Sequence, residues 1–385
     1  MNFEFSDEQR LLLDTVKRAN EREVEPLLES YSGDEPLPKE ACLKIMKLLQ
    51  PLGALGCRVP VEDGGSGLGA TGMGIFCEIL PFPAASLLMV QDLATTRICR
   101  GSSEELKARV VPPLLNGDRI ACSCTTEPDA GSDVRSLKTK AIPSGDEYVI
   151  NGVKTWISGG IVADTLVAIC SMGKDEKGRN ILTPFVVEKD VSPFQANSIK
   201  VAGLVQDHLS EVTFEDCHVP RGNMLVKAAG HAHRLFSQGW LSQRACSGLC
   251  SVRVGQKAID AGIRYARGRK QFGKPIGSFQ LIQGMIAEMS ALLDASRLLC
   301  YRALKLCDNG IWCYKESSMA KHFAAEAALK VTNMAIEIHG AYGMSRDMAV
   351  EQYQRDARLI AFAEGTIEIQ KLIHAREILG MQALM

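Results

Sequence analysis

Four things are missing from this chain, and each absence removes a class of function. There is no excess of positive charge. The 44 Lys and Arg are met by 45 Asp and Glu, a formal net charge of -1, so nothing in the balance favours a nucleic-acid backbone. No apolar run reaches the length of a membrane span. The opening residues Met1-Asn2-Phe3-Glu4-Phe5 lack the basic and apolar regions of a signal peptide, so a soluble, cytoplasmic protein is expected. Cys-x-x-Cys spacing is absent as well. The thirteen cysteines are scattered, and only Cys122/Cys124 and Cys246/Cys250 lie close together, a pattern of reduced, buried thiols with no metal site expected.

What is present is bulk. At 385 residues, 46% apolar and 23% charged, the chain can bury a large core distributed over two or three domains. Its texture changes twice. Residues 6–116 read as helices: Ser6 opens a capping box with Gln9, and Leu12, Val16 and Ala19 continue one apolar face. Further helices are expected around 39–54, 68–80 and 103–116, separated by loops such as Val61-Glu62-Asp63-Gly64-Gly65-Ser66-Gly67. From 117 to about 222 the period falls to two. Tyr148 to Trp156 reads as a hairpin turning at Asn151-Gly152, with strands at Thr165–Cys170, Pro184–Glu188 and Val212–Phe214. After 228 long amphipathic helices return, at roughly 232–268, 278–308, 317–339 and 367–380. Three domains follow from this order: 1–116 all-α, 117–227 β, and 228–385 a helical bundle, an α+β protein that is mainly α.

One residue stands out chemically. Glu364 follows the apolar run Leu359-Ile360-Ala361-Phe362-Ala363 and precedes Gly365-Thr366 and a helical segment. A carboxylate among apolar neighbours loses solvation, its pKa rises, and it becomes a usable base near neutral pH. Taken alone it also reads as an acid at a helix start, favoured by the helix dipole.

Several motifs then fall into one register: Thr126-Glu127-Pro128-Asp129-Ala130-Gly131-Ser132-Asp133, Asn151-Gly152-Val153-Lys154-Thr155-Trp156-Ile157-Ser158, Arg269-Lys270-Gln271-Phe272-Gly273, His339-Gly340-Ala341-Tyr342-Gly343 and Glu364-Gly365-Thr366. In order and spacing they resemble the acyl-CoA dehydrogenase family of flavoproteins along essentially the whole chain. The resemblance implies an N-terminal helical domain, a middle β-barrel-like domain and a C-terminal four-helix bundle, with FAD as cofactor. It implies that Thr126, Ser132, Trp156 and Ser158 meet the flavin, the indole packing on it and the Ser158 hydroxyl bonding near N5. It implies that Arg269 and Gln280 reach the FAD of a neighbouring subunit, that Gly340 lets backbone approach the dinucleotide, and that Thr366 belongs to the same cofactor set. Glu364 is then the base that removes the α proton of an acyl-CoA while the β hydrogen leaves as hydride to the flavin. Arg244, Ala363, Gly365 and Arg376 fall on the substrate side. The implied partners are an electron-transferring flavoprotein as electron acceptor and three further copies of the chain, in a homotetramer built as a dimer of dimers.

Departures from the family pattern bear on the substrate. The alternative position for the base, just before Arg244, is Gln243, which cannot act as one. Ala363 replaces a customary aromatic residue and leaves room for a bulky or cyclic acyl group. Ala85 stands where glutaryl-CoA dehydrogenases carry an arginine, which disfavours a dicarboxylic substrate because its second carboxylate would be buried without a cation. In the pocket-wall segment Ile79 to Asp92, Asp92 reads either as an acid turned outward or as a second proton acceptor opposite Glu364, suited to cyclohexane- or cyclohexene-carbonyl-CoA. Short, medium or branched acyl-CoA dehydrogenases, an enoyl-CoA reductase and a non-redox lyase on the same scaffold remain alternatives.

Overall fold

The computed structural model describes residues 4–225 and 232–382, apart from a few side chains at the start of the helix that follows the gap. Six helices come first: α1 (Asp7–Ala19), α2 (Glu25–Glu29), α3 (Lys39–Leu49), α4 (Gly69–Ile79), α5 (Phe82–Gly101) and α6 (Glu104–Leu115). The capping box at Ser6 forms as expected, the Ser6 hydroxyl and the Gln9 side chain each satisfying the other's backbone N–H. α5 is the element the sequence conceals. Sixteen of its 20 residues are buried, so it carries no polar stripe from which a helical period could be read.

A seven-stranded sheet follows: β1 (Ala121–Cys124), β2 (Lys140–Ser144), β3 (Glu147–Ser158), β4 (Thr165–Lys174), β5 (Asn180–Glu188), β6 (Gln195–Ser198) and β7 (Leu209–Pro220). Its order is β1-β4-β2-β3-β7-β6, with β5 also on β4. The hairpin expected at Asn151-Gly152 is corrected here. β3 runs straight through that pair, and the chain reverses instead at Gly145-Asp146 between β2 and β3, with Gly145 at a φ of 60°. Gly152 marks a register shift against β7, where any Cβ would lie 2.4 Å from the Thr139 hydroxyl. Glycine is used there for close approach of two strands and not for a turn.

The remainder is a helical bundle: α7 (Ala232–Gly268), α8 (Gln280–Asp308), α9 (Tyr314–His339), α10 (Val350–Ile360) and α11 (Ile367–Leu379), with the small hairpin β8 (Lys270–Gln271) and β9 (Lys274–Pro275) between α7 and α8. α7, α8 and α9 pack on one another, α11 packs on α9, and α10 lies against α7 and α9. The largest core runs without a break from the N-terminal helices into the bundle, joining Met73, Phe76 and Leu88 to Leu249, Cys300 and Ala324. A polar clamp reinforces that seam: the Asp308 carboxylate accepts from the Ala70 and Thr71 N–H groups at the start of α4. The sheet has its own apolar interior, and a separate cluster seals α5 and α6 against β1, β4 and β5. Among the described residues no helix is long and apolar enough to cross a membrane.

Candidate active site

Two of the motifs are joined from beneath. Lys154 on β3 is fully buried and donates to the Glu127 carboxylate at 2.8 Å and to the Ile169 and Thr125 carbonyls. Glu127 in turn accepts from the backbone N–H groups of Lys138 and Thr139. These bonds and the Lys154 charge hold its carboxyl below the usual range against the opposing effect of burial. The turn bearing Thr126 is therefore fixed to β3, and the Thr155 N–H donates to the Thr126 carbonyl at 2.9 Å.

Directly beyond lies a second register shift, between Lys154 and Ile157. Trp156 sits in it with a φ of 59°, and its side chain is 53% exposed. A bulky residue in the left-handed region is strained, and a bulge re-aims side chains. The strand thus holds an indole outward, beside the half-buried Thr126 and Ser158, where a core tryptophan would have pointed inward. Ser132 lies exposed on the neighbouring loop. Hydroxyls around an open indole face suit a flat ring system bearing carbonyls and ring nitrogens.

α5 approaches the end of β3, where Val90 packs near Gly159. Asp92, one turn earlier than Arg97 on the same helix, is fully buried and not turned outward. One of its oxygens accepts the Arg58 backbone N–H at 3.0 Å and the other accepts Arg58 Nε. Arg58 Nη1 continues to the Ser242 hydroxyl and the Gly239 carbonyl on α7. One turn on, Gln243 donates to the Met89 carbonyl of α5 at 2.8 Å, which ties the two helices together and confirms an amide with a structural task.

Glu364 sits on the turn between α10 and α11. It and Gly365 take consecutive left-handed conformations, with φ of 55° and 95°. The turn is pinned from both sides: buried Lys321 of α9 donates to the Ala361 carbonyl, and Gln370 of α11 donates to the Glu364 carbonyl at 2.9 Å. Thr366 caps α11 through its hydroxyl. Burial raises the Glu364 pKa above the ordinary carboxylate range, although Arg97, Arg244, Lys321 and Arg58 all oppose the rise. The cations respond in kind. Burial lowers Arg97 to about 10 and Lys321 to about 8, and lowers Arg244, with Glu364 opposing each fall. Arg244 is buried, donates to Ser318 on α9, and keeps a buried Nε with no acceptor among the described residues.

The structure therefore brings Glu364, Ala363, Gly365, Thr366 and Arg244 to one junction of α7, α9 and α11, with Asp92 linked to it through Arg58. Thr126, Trp156 and Ser158 lie at the end of β3 that α5 approaches. Arg376, on the outer part of α11, pairs with Glu377 and lies over the Tyr314 ring. Arg269, Gln280 and Gly340 are not in this junction. They are exposed at the other end of the bundle, and 25 helical residues from Arg244 to Arg269 span roughly 37 Å. Sequence reasoning passed over Arg58, Arg97 and Lys321. A signal existed for Arg97, a lone charge within Leu93-Ala94-Thr95-Thr96-Arg97-Ile98-Cys99. Neither Arg58 nor Lys321 has a comparable local mark.

Family models describing the N-terminal, middle and C-terminal domains of acyl-CoA dehydrogenases match residues 6–118, 122–217 and 224–379. Benzylmalonyl-CoA dehydrogenase of Aromatoleum aromaticum is 36% identical over 98% of this chain and 100% of its own length. Cyclohexane-1-carbonyl-CoA dehydrogenase of Geobacter metallireducens is 34% identical over 98% of this chain and 99% of its own. Among solved structures, a glutaryl-CoA dehydrogenase in complex with glutaryl-CoA superposes with a TM-score of 0.90 at 32% identity, covering 99% of this chain and 97% of that one.

Proposed function

The chain belongs to the acyl-CoA dehydrogenase family of FAD-dependent oxidoreductases, and from that premise we propose that Glu364 takes the α proton of an acyl-CoA thioester. The observation that carries the reading is the state of this residue: a half-buried carboxylate on a pinned left-handed turn, raised in pKa in spite of four neighbouring cations. A carboxylate raised in this way is a stronger base than an ordinary one and better suited to accept a carbon-bound proton. Its own backbone N–H donates to the thioester oxygen and steadies the enolate-like charge that develops there.

The open face of Trp156 with the Thr126 and Ser158 hydroxyls fits an isoalloxazine ring, and Ser132 adds a hydroxyl from the neighbouring loop. FAD, when bound there, supplies the acceptor for the β hydride. Arg269, Gln280 and Gly340 lie too far from this face to serve it within one chain, so they reach the cofactor of a neighbouring copy, within a homotetramer. An electron-transferring flavoprotein is the proposed acceptor from the reduced enzyme. Ala363 leaves volume beside the reacting carbons and favours a bulky or cyclic acyl group. Asp92 acts by orienting Arg58. A second base at that position would have to abstract a proton with both oxygens already held by one guanidinium-bearing residue.

Anaerobic flavin bleaching by a panel of linear, branched, cyclic and carboxylated acyl-CoAs tests the reading. Glu364→Gln is expected to retain FAD and bind acyl-CoA while losing bleaching by about a thousandfold or more. Retained bleaching in that variant defeats the assignment.

A further inference from the structure

The thirteen cysteines are all free, and twelve of them are buried. The exception is Cys307 in the last turn of α8, and its sulfur lies 3.5 Å from that of Cys313. The residues between them, Asp308-Asn309-Gly310-Ile311-Trp312, are exposed throughout and turn the chain into α9, with Gly310 at a φ of 70°. Closing the gap to a covalent S–S bond of about 2.05 Å takes about 1.5 Å of movement, shared between the two ends of a glycine-containing turn. Other thiols also lie together, Cys122 with Cys124 and Cys77 with Cys246 and Cys250, but both groups are buried and present no edge to a soluble oxidant.

The two thiols are chemically unequal. Cys313 is the N-cap of α9, where the positive end of the helix dipole favours an anion, and it makes no side-chain capping bond. The hydrogen bond from Cys307 holds the Cys313 thiol below its ordinary range, with help from the nearby Arg244 charge and against burial. That same bond, with burial, pushes Cys307 up. When protonated, Cys313 donates to the Ala303 carbonyl of α8 at 3.6 Å, so its sulfur is already turned toward the helix that carries Cys307. Cys313 therefore supplies the reactive thiolate, and Cys307 supplies both the resolving thiol and the opening to solvent.

What moves with Cys313 is the start of α9. The next residue, Tyr314, has Arg376 over its ring at 5.7 Å; one turn further Ser318 accepts from Arg244, and Lys321 beyond it holds the Ala361 carbonyl of the Glu364 turn. We propose that Cys307 and Cys313 form a reversible redox switch: oxidation by a peroxide joins them, draws the start of α9 toward α8 and slows the reaction at the Glu364 junction. The consequence for activity rests on the reading of that junction as the acyl site. The Cys313 thiolate attacks one oxygen of hydrogen peroxide, the O–O bond breaks, and the leaving hydroxide takes the Cys307 proton to become water. The Cys307 thiolate then attacks the sulfenic sulfur, and the S–S bond forms as the S–O bond breaks. The hydroxide released there takes up the proton that Cys313 had first given up and leaves as a second water. Two thiols lose two electrons and two protons, and one peroxide gains them.

The test exposes the FAD-loaded protein to equimolar hydrogen peroxide, removes the oxidant and follows three quantities. These are the linkage of Cys307 to Cys313 by peptide mass mapping without reductant, amide hydrogen exchange over residues 314–321, and anaerobic flavin bleaching by butyryl-, isobutyryl-, glutaryl- and cyclohexane-1-carbonyl-CoA. The map should show the disulfide, exchange at the start of α9 should change, and bleaching should slow about tenfold or more. Dithiothreitol should restore all three. Before treatment Cys307→Ser should bleach within about twofold of the wild type, and it should hold that rate afterwards. Cys313→Ser, which puts a favoured N-cap residue at the same position, should resist the peroxide likewise. The proposal is overturned if the pair stays reduced, if the disulfide leaves bleaching unchanged, or if Cys307→Ser is inactivated as far as the wild type. Should none of the acyl-CoAs bleach even the reduced protein, the dehydrogenase assignment falls by itself, and the linkage with its change in exchange decides the switch.

Discussion

Glu364 shows how one residue acquires a chemical role from its surroundings. The side chain is an ordinary carboxylate; what differs is that it stands on consecutive left-handed residues, against apolar neighbours, with its turn clamped by Lys321 and Gln370. The sign of the resulting pH effect is fixed. Only the ionised form accepts a proton, and the folded pKa lies above the ordinary 4.5, so the rate of substrate-dependent flavin bleaching should climb with pH through an inflection above that value. Stopped-flow measurement across pH 4–8, about the range in which carboxylates shifted by burial titrate, checks this. A rate already flat from pH 5 upward would mean that the carboxylate is not raised, or is not the base.

At the scale of elements, β3 does two jobs that compete. It must pair with β2 and β7, and it must also present Trp156 outward, which the bulge between Lys154 and Ile157 achieves at the expense of two ladder positions. The compensation is the buried Lys154–Glu127 pair just before the bulge, fully hydrogen-bonded into β1's loop and β4. Lys154→Met leaves Glu127 charged and buried without its cation, and should cost about 3–5 kcal/mol of stability. The double variant Lys154→Met with Glu127→Gln should recover part of that loss in a denaturant titration. Equal stability of the single and double variants would show that the pair is not coupled.

For the whole molecule, the decisive dimension is the length of α7. It is 37 residues long, and it separates Arg244 from Arg269 by about 37 Å, which is the basis for proposing that Arg269 and Gln280 serve the cofactor of a neighbouring copy. The hairpin after it carries Phe272, 93% exposed, on a left-handed turn with Gly273. Within the chain the ring meets only the edge of Phe279 among the described aromatic contacts, and in the proposed homotetramer its exposed face would pack against another copy. Phe272→Asp should shift the assembly to smaller species in sedimentation velocity and weaken FAD retention together, because Arg269 and Gln280 flank the same tract. Loss of FAD with the assembly unchanged would place the cofactor contact within a single chain.

The sequence by itself determined the order of helices, sheet and bundle, the capping box at Ser6, the family through its spaced motifs, and the singular position of Glu364. These are legible because they depend on local periodicity or on short segments whose chemistry is written in adjacent residues. The site's electrostatics are not local. Asp92 pairs with Arg58, 34 residues away in sequence, and Glu364 feels Lys321 and Arg97 from two other helices. The Asn151-Gly152 pair carries the composition of a turn and lies inside a strand, because its glycine answers to Thr139 across the sheet. Only the tertiary structure could decide these points, since burial and the meeting of distant side chains set the charge of a site, and neither is a property of any short stretch of chain.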